Sequence, residues 1–198
     1  MNTRTPLIAA LIAAAFAAPA FAQSTAPIAN EVQRNVNQQQ RIEKGLQSGA
    51  LNTREAARLE RGEAAIARME ARAARDGGIN AHERSRITAA QNRESQAIYN
   101  QKHDAQLGNP TSASSQRIQA DVQRDLNQQQ RIEKGLQTGQ LTTREAASLE
   151  RGQARVDRAE ARAGRDGRIN ANEQRHLQAR EDRQSHRIFH KRHNAHHA

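Results

Sequence analysis

Beyond the first 22 positions, large apolar residues are sparse and fall at helical intervals. Ile28, Val32, Val36, Ile42 and Leu46 follow one approximate stripe, and Ile118, Val122, Leu126, Ile132 and Leu136 follow another. This spacing collects side chains on one face of a helix, and no stretch shows the strict alternation of a strand. Gly49 interrupts the first stripe, and Asn52 then stands three residues before Glu55, while Thr142 stands likewise before Glu145. Both are capping-box spacings, in which a side-chain oxygen and a Glu satisfy free N–H groups at a helix start. The helix that follows runs to about Arg75 on Leu59, Ile66, Met69 and Ala73, with Gly62 and its later counterpart Gly152 marking points for a kink. Asp76-Gly77-Gly78 ends it, and Asn80 with Glu83 starts a third helix bearing Ile87, Ala90, Ile98 and Tyr99. The pattern predicts an all-α protein.

Residues 32–103 recur at 122–193 with a constant offset of 90. Asn37 to Gln47 returns unchanged as Asn127 to Gln137, and Thr53 to Ala57 returns as Thr143 to Ala147. A long period present twice indicates two copies of one small unit rather than a solenoid. Leu107 to Ser115 is rich in Gly, Pro, Ser and Thr and reads as a flexible linker. The expected organisation is a leader at 1–22, three-helix repeats at 28–104 and 116–193 joined by 105–115, and a His-rich tail at 194–198. The duplication also provides an internal control, since features of one copy alone are not required by the shared fold.

The leader assignment rests on Arg4, the apolar run Leu7 to Phe16, and Ala20-Phe21-Ala22, which suits cleavage after Ala22. The run is too short to span a bilayer comfortably, and no second candidate follows, so no membrane-spanning segment is expected in the mature chain. Export to the periplasm or beyond is the resulting expectation. The chain has no Cys and therefore forms no disulfides there.

The net charge is +10, from 31 Lys and Arg against 21 Asp and Glu. Acidic and basic residues are interspersed, as in Glu55, Arg58, Glu60, Arg61 and Glu63. Such interspersion suggests solvated helix faces carrying i,i+3 and i,i+4 pairs. Tyr99 and Phe189 are the only aromatics after the leader and occupy equivalent places, so Ala, Ile, Leu and Val must supply most of the core.

Asp76-Gly77-Gly78-Ile79-Asn80-Ala81-His82-Glu83 resembles the second half of an EF-hand calcium loop. That loop uses Gly at position 6 for its turn and a bidentate Glu at position 12. Gly77 and Glu83 fill those places, with Asp76 and Asn80 at positions 5 and 9, and Asp166, Gly167, Asn170 and Glu173 repeat them. Gly49 with Glu55 and Gly139 with Glu145 give a fainter version, so the resemblance implies two tandem, degenerate EF-hand-like pairs. The early ligand positions depart from the family: Arg72 and Ala74 stand in one loop, Arg162 and Gly164 in the other. An arginine there removes a ligand and repels the metal, which argues against tight calcium binding.

Six of the eight histidines lie at or after His176. His186, His190, His193 and His197 follow i, i+4, i+7, i+11 spacing, which aligns them if the last helix continues. Imidazoles so placed can chelate Cu²⁺, Zn²⁺ or Ni²⁺. The first copy holds Gln96, Asn100 and His103 at the three comparable places. No nucleophile elbow, phosphate-binding loop or paired catalytic carboxylates stand out, so an enzyme is not expected. Sparse aromatics and export argue against nucleic acid. The favoured reading is an exported, non-enzymatic metal-binding or metal-buffering protein. The alternatives are a module binding a protein partner or an anionic envelope surface, and a weak calcium-binding protein.

Overall fold

The computed structural model describes residues 25–195, with side chains from Ile28 onward. The expected leader at 1–22 lies outside the described residues, as does His197. Among the described residues there are six long helices and no strand: α1 Thr25–Ser48, α2 Thr53–Ala73, α3 Ala81–Lys102, α4 Ala113–Gln137, α5 Thr143–Ala163 and α6 Ala171–Arg192. A single 3₁₀ turn follows each of α2 and α5. None of the helices is long and apolar enough to cross a membrane.

The helix starts follow from local chemistry. Asn52–Glu55, Asn80–Glu83, Thr142–Glu145 and Asn170–Glu173 all form reciprocal capping boxes. Ser112 caps α4 by accepting from Ser115 N. Gly77 and Gly167 close the 3₁₀ turns at φ 102° and 89°, a left-handed conformation costly to residues with a Cβ. Gly62 and Gly152 have a packing role. Both lie within continuous helices, where a Cβ would overlap the Glu94 carboxylate or the Gln184 amide. Their lack of a side chain admits α3 against α2 and α6 against α5.

The two copies pack together and share their cores. One apolar cluster joins Ile42 and Leu46 at the end of α1 to Ile118 and Val122 at the start of α4, with Ala57, Ile98, Ala159 and Leu177. The other joins Ile28 and Val32 to Ile132 and Leu136, with Ala74, Ala147, Leu149 and Ile188. Thus α1 runs antiparallel to α4 and α2 antiparallel to α5, in a pseudo-twofold four-helix centre flanked by α3 and α6. The small residues of α2 and α5 permit a close crossing. A Cβ on Gly164 would lie 2.7 Å from that of Ala57. The reciprocal bonds Arg54 Nη2 to Asp166 O (3.0 Å) and Arg144 Nη2 to Asp76 O (3.1 Å) tie each copy's second helix to the other's 3₁₀ turn.

The segment read as a flexible linker is held near its start, where Gly108 N donates to Gly49 O at 2.8 Å and a Cβ on Gly108 would meet the Leu51 backbone. Tyr99 and Phe189 are 52 % and 51 % exposed, which leaves the core to aliphatic residues.

A shared core has a direct consequence. The first copy alone, residues 23–108, should show no cooperative unfolding as a monomer, measured by circular dichroism on the monomeric size-exclusion fraction. In the full chain, Ile118→Ala should cost about 2–5 kcal/mol by denaturant titration, since it empties part of a cluster built largely by the other copy.

Candidate functional site

Between the apolar clusters lies a layer of buried polar side chains. Its acidic members on α2 are Glu60, Glu63 and Glu70, and on α5 they are Glu150, Asp157 and Glu160. From α4 come Asp121 and Asp125, and from α6 Glu181. Twelve acidic side chains are buried among the described residues, whereas no Lys or Arg is. The interspersed charges therefore do not form solvated ladders. Glu55, Glu60 and Glu63 point inward, while Arg58 and Arg61 point outward. The spacing of 60, 63 and 70 is itself one helical stripe, continuous with the apolar face.

Amides at one end of the layer satisfy Glu70. Asn35 Nδ2 donates to Glu70 Oε2 at 2.8 Å, and Gln91 Nε2 lies 3.1 Å from Glu70 Oε1. Gln91 Nε2 also reaches Asn35 Oδ1 at 2.9 Å and Glu31 O at 3.0 Å. Glu70 thus has a donor for each carboxylate oxygen.

The pseudo-twofold mate of this arrangement is built differently. Glu160 replaces Glu70, but Asp125 replaces Asn35 and Glu181 replaces Gln91. Each replacement exchanges an amide donor for a carboxylate, which when ionised can only accept. Both oxygens of Asp125 and both of Glu160 are buried without a hydrogen-bond partner, as is Glu60 Oε1. Gln39 Nε2 donates to Glu60 Oε2 at 3.0 Å. One oxygen from each of Glu60, Asp125 and Glu160 falls within 4.8 Å of the others, and all three residues are fully buried. Beside them, Arg124 Nη1 pairs with Glu181 Oε2 at 2.5 Å, and Gln174 Nε2 donates to Asp121 Oδ1 at 2.7 Å.

Burial raises the carboxyl pKa values throughout the layer. Glu60 is pushed up to about 7 by desolvation, against the Gln39 hydrogen bond and reinforced by Glu94. Desolvation also raises Glu150 and Glu94 to about 7. Asp121 reaches about 8 through desolvation, then the neighbouring Glu181 charge and the hydrogen bond shared with it. Asp125 and Glu160 are driven well above the ordinary range, first by desolvation and then by surrounding carboxylates. A cluster of this kind requires protons or a cation to neutralise it.

The sites indicated by the sequence lie elsewhere. Asn80 Oδ1 accepts from Glu83 N at 2.9 Å and Glu83 Oε2 from Asn80 N at 3.0 Å, with the same exchange at Asn170 and Glu173. Asp76 and Asp166 offer their carbonyls to Arg144 and Arg54. These positions therefore serve as helix caps and contacts between the copies. His186 and His190 are exposed one turn apart on α6. His193 instead stacks on Phe189, with ring centroids 4.2 Å apart, and places Nδ1 2.8 Å from Phe189 O. His103 repeats this against Tyr99 at 4.2 Å and 2.7 Å, so both copies use a histidine to finish the third helix.

The carboxylate layer contradicts the view that acidic residues are confined to caps and surfaces. Its sequence signal was the inward stripe of 60, 63 and 70 with its echo at 150, 157 and 160. Comparison with known proteins finds no matching family model, no significant match among curated proteins and none among solved structures.

The raised pKa values set the sign of the pH dependence. These carboxyls keep protons in the folded protein at pH values where the unfolded chain has released them. Their contribution to stability is complete below about pH 4 and is lost as pH rises through 7–8. Thermal unfolding of metal-free protein should accordingly show a melting temperature several degrees lower at pH 8.5 than at pH 5.5.

Proposed function

We propose that this is a non-enzymatic cation-binding protein whose principal site is Glu60, Asp125 and Glu160, taking a hard divalent ion, Ca²⁺ ahead of Mn²⁺. The observation carrying this reading is the set of four unpartnered oxygens on buried Asp125 and Glu160, whereas in the first copy the amides of Asn35 and Gln91 supply donors to both oxygens of Glu70. An all-oxygen donor set without imidazole or thiolate suits hard cations. With the three oxygens within 4.8 Å of one another, a point between them lies no more than about 2.8 Å from each, a span compatible with Ca–O bonds. Bidentate carboxylates raise the available oxygens towards the six to eight that calcium takes.

In this reading the EF-hand-like helix pairs supply the scaffold, and the ion lies between the copies rather than in their loops. The leader-like sequence of residues 1–22 supports export to the periplasm or beyond, where the protein would act as an ion buffer or as a module whose pairing of the copies responds to the ion. The exposed pair His186 and His190 favours a second, peripheral Cu²⁺, Zn²⁺ or Ni²⁺ site.

The test is thermal unfolding of chelator-treated full-length protein at pH 7.5 with Ca²⁺, Mn²⁺, Mg²⁺, Zn²⁺ or Cu²⁺. Calcium at a hundredfold excess over Kd should stabilise the fold by about 2.7 kcal/mol, a shift of several degrees. Asp125→Asn recreates the amide of the first copy. It should abolish the calcium response while stabilising the metal-free protein by about 1–3 kcal/mol. A His186→Ala/His190→Ala variant should retain the calcium response and lose most Zn²⁺ or Cu²⁺ binding by calorimetry. Absence of a calcium response, or its persistence in Asp125→Asn, would remove the carboxylate centre as the site.

A further inference from the structure

The inward placement of acids leaves the exterior rich in unmatched cations. Among the described residues, the ion pairs within 4.0 Å are Arg124–Glu181 and Lys191–Glu145. One group of four arginines lines a cleft of about 230 Å³ between α5 and α6. Arg180, Arg183 and Arg187 stand at i, i+3 and i+7 on α6, and Arg155 faces them from α5. Gly152 and Gln184 form the contact beneath, where the absent Cβ lets the helices approach. Arg187 anchors one side through Nη2 to Ser148 O at 3.3 Å, whereas Arg155, Arg180 and Arg183 are exposed.

Comparison of the copies separates this feature from the scaffold. The first copy has Ala65, Ala90 and Ala97 where the second has Arg155, Arg180 and Arg187. Only Arg183 has an arginine counterpart, Arg93. The same exchange puts Gln184 in place of Glu94, removing a carboxylate from the edge of the cleft. The added cations and the lost carboxyl make the lining of the cleft more positive in the second copy. The first copy forms the same helices without them, so the fold does not require the cluster. Partial burial lowers the Arg187 pKa, and Arg155 and Arg151 lower it further. The guanidinium groups therefore repel one another.

We propose that this cleft binds phosphate-bearing ligands, with the exposed guanidinium groups of Arg155, Arg180 and Arg183 holding a pyrophosphate or terminal phosphate. Guanidinium forks match phosphate oxygens in pairs, and an anion between the two helices relieves the repulsion. This cleft shares no lining residue with the carboxylate centre. Two sources supply the same chemistry, a soluble (poly)phosphate and the headgroup of an anionic phospholipid.

Calorimetry of the full-length protein with sodium pyrophosphate, at low ionic strength and without divalent cations, tests the soluble source. Co-sedimentation with phosphatidylglycerol-containing or pure phosphatidylcholine vesicles tests the headgroup. Arg155→Ala/Arg180→Ala restores the residues of the first copy and should leave the helical circular dichroism unchanged. The control is Arg58→Ala/Arg61→Ala, which removes the same charge from another arginine-lined cleft. A tenfold or greater loss of pyrophosphate affinity in the first variant, with less than twofold in the control, is expected. The same pattern confined to phosphatidylglycerol vesicles assigns the site to a headgroup. Equal losses in both variants, or binding of neither source, would overturn the proposal.

Discussion

The rest of the structure depends on the burial of carboxylates without buried cations. Moving an ionised carboxylate into a protein interior costs several kcal/mol unless a donor, a proton or a metal compensates. In the first half of the layer Asn35 and Gln91 are the compensation, and Glu70 is fully hydrogen-bonded. In the second half Asp125 and Glu181 cannot perform that role while ionised. The two halves share a backbone plan but differ in which carboxylate oxygens have hydrogen-bond donors, and this asymmetry carries the cation-binding reading.

The same constraint accounts for the way the copies associate. A helix such as α2, with Glu60, Glu63 and Glu70 on its inner face among alanines, cannot build a conventional apolar core by itself. Antiparallel pairing with α5 places apolar residues at both ends and confines the acids to the middle. Small side chains bring the helices close. The capping boxes and left-handed glycines then fix the turns that position α3 and α6 as flanks. The loops before α3 and α6 thus contribute geometry, through caps and through the Arg54 and Arg144 contacts.

Inward acids also determine the exterior. With Glu60, Glu63, Glu150 and Glu160 removed from solvent, the arginines beside them in sequence lose their expected helical partners. The surface is then more positive than the net charge of +10 conveys. The cleft between α5 and α6 concentrates this effect where the second copy adds arginine.

Much of the fold was legible from the residues alone. The stripe Ile28, Val32, Val36, Ile42 and Leu46 specifies a buried face, and Asn52, Asn80, Thr142 and Asn170 mark helix starts, because periodicity and capping are local properties. The offset of 90 likewise disclosed the duplication and the positions at which the copies differ. The direction in which Glu60 points was not legible as a function. A helix with acids on its inner face and arginines on its outer face has the same letters as a solvated, salt-bridged helix. Nor could sequence separate His193, stacked on Phe189, from His186 and His190. Only the tertiary structure decided that Glu60 of one copy meets Asp125 and Glu160 of the other, since that depends on antiparallel packing between segments far apart in the chain.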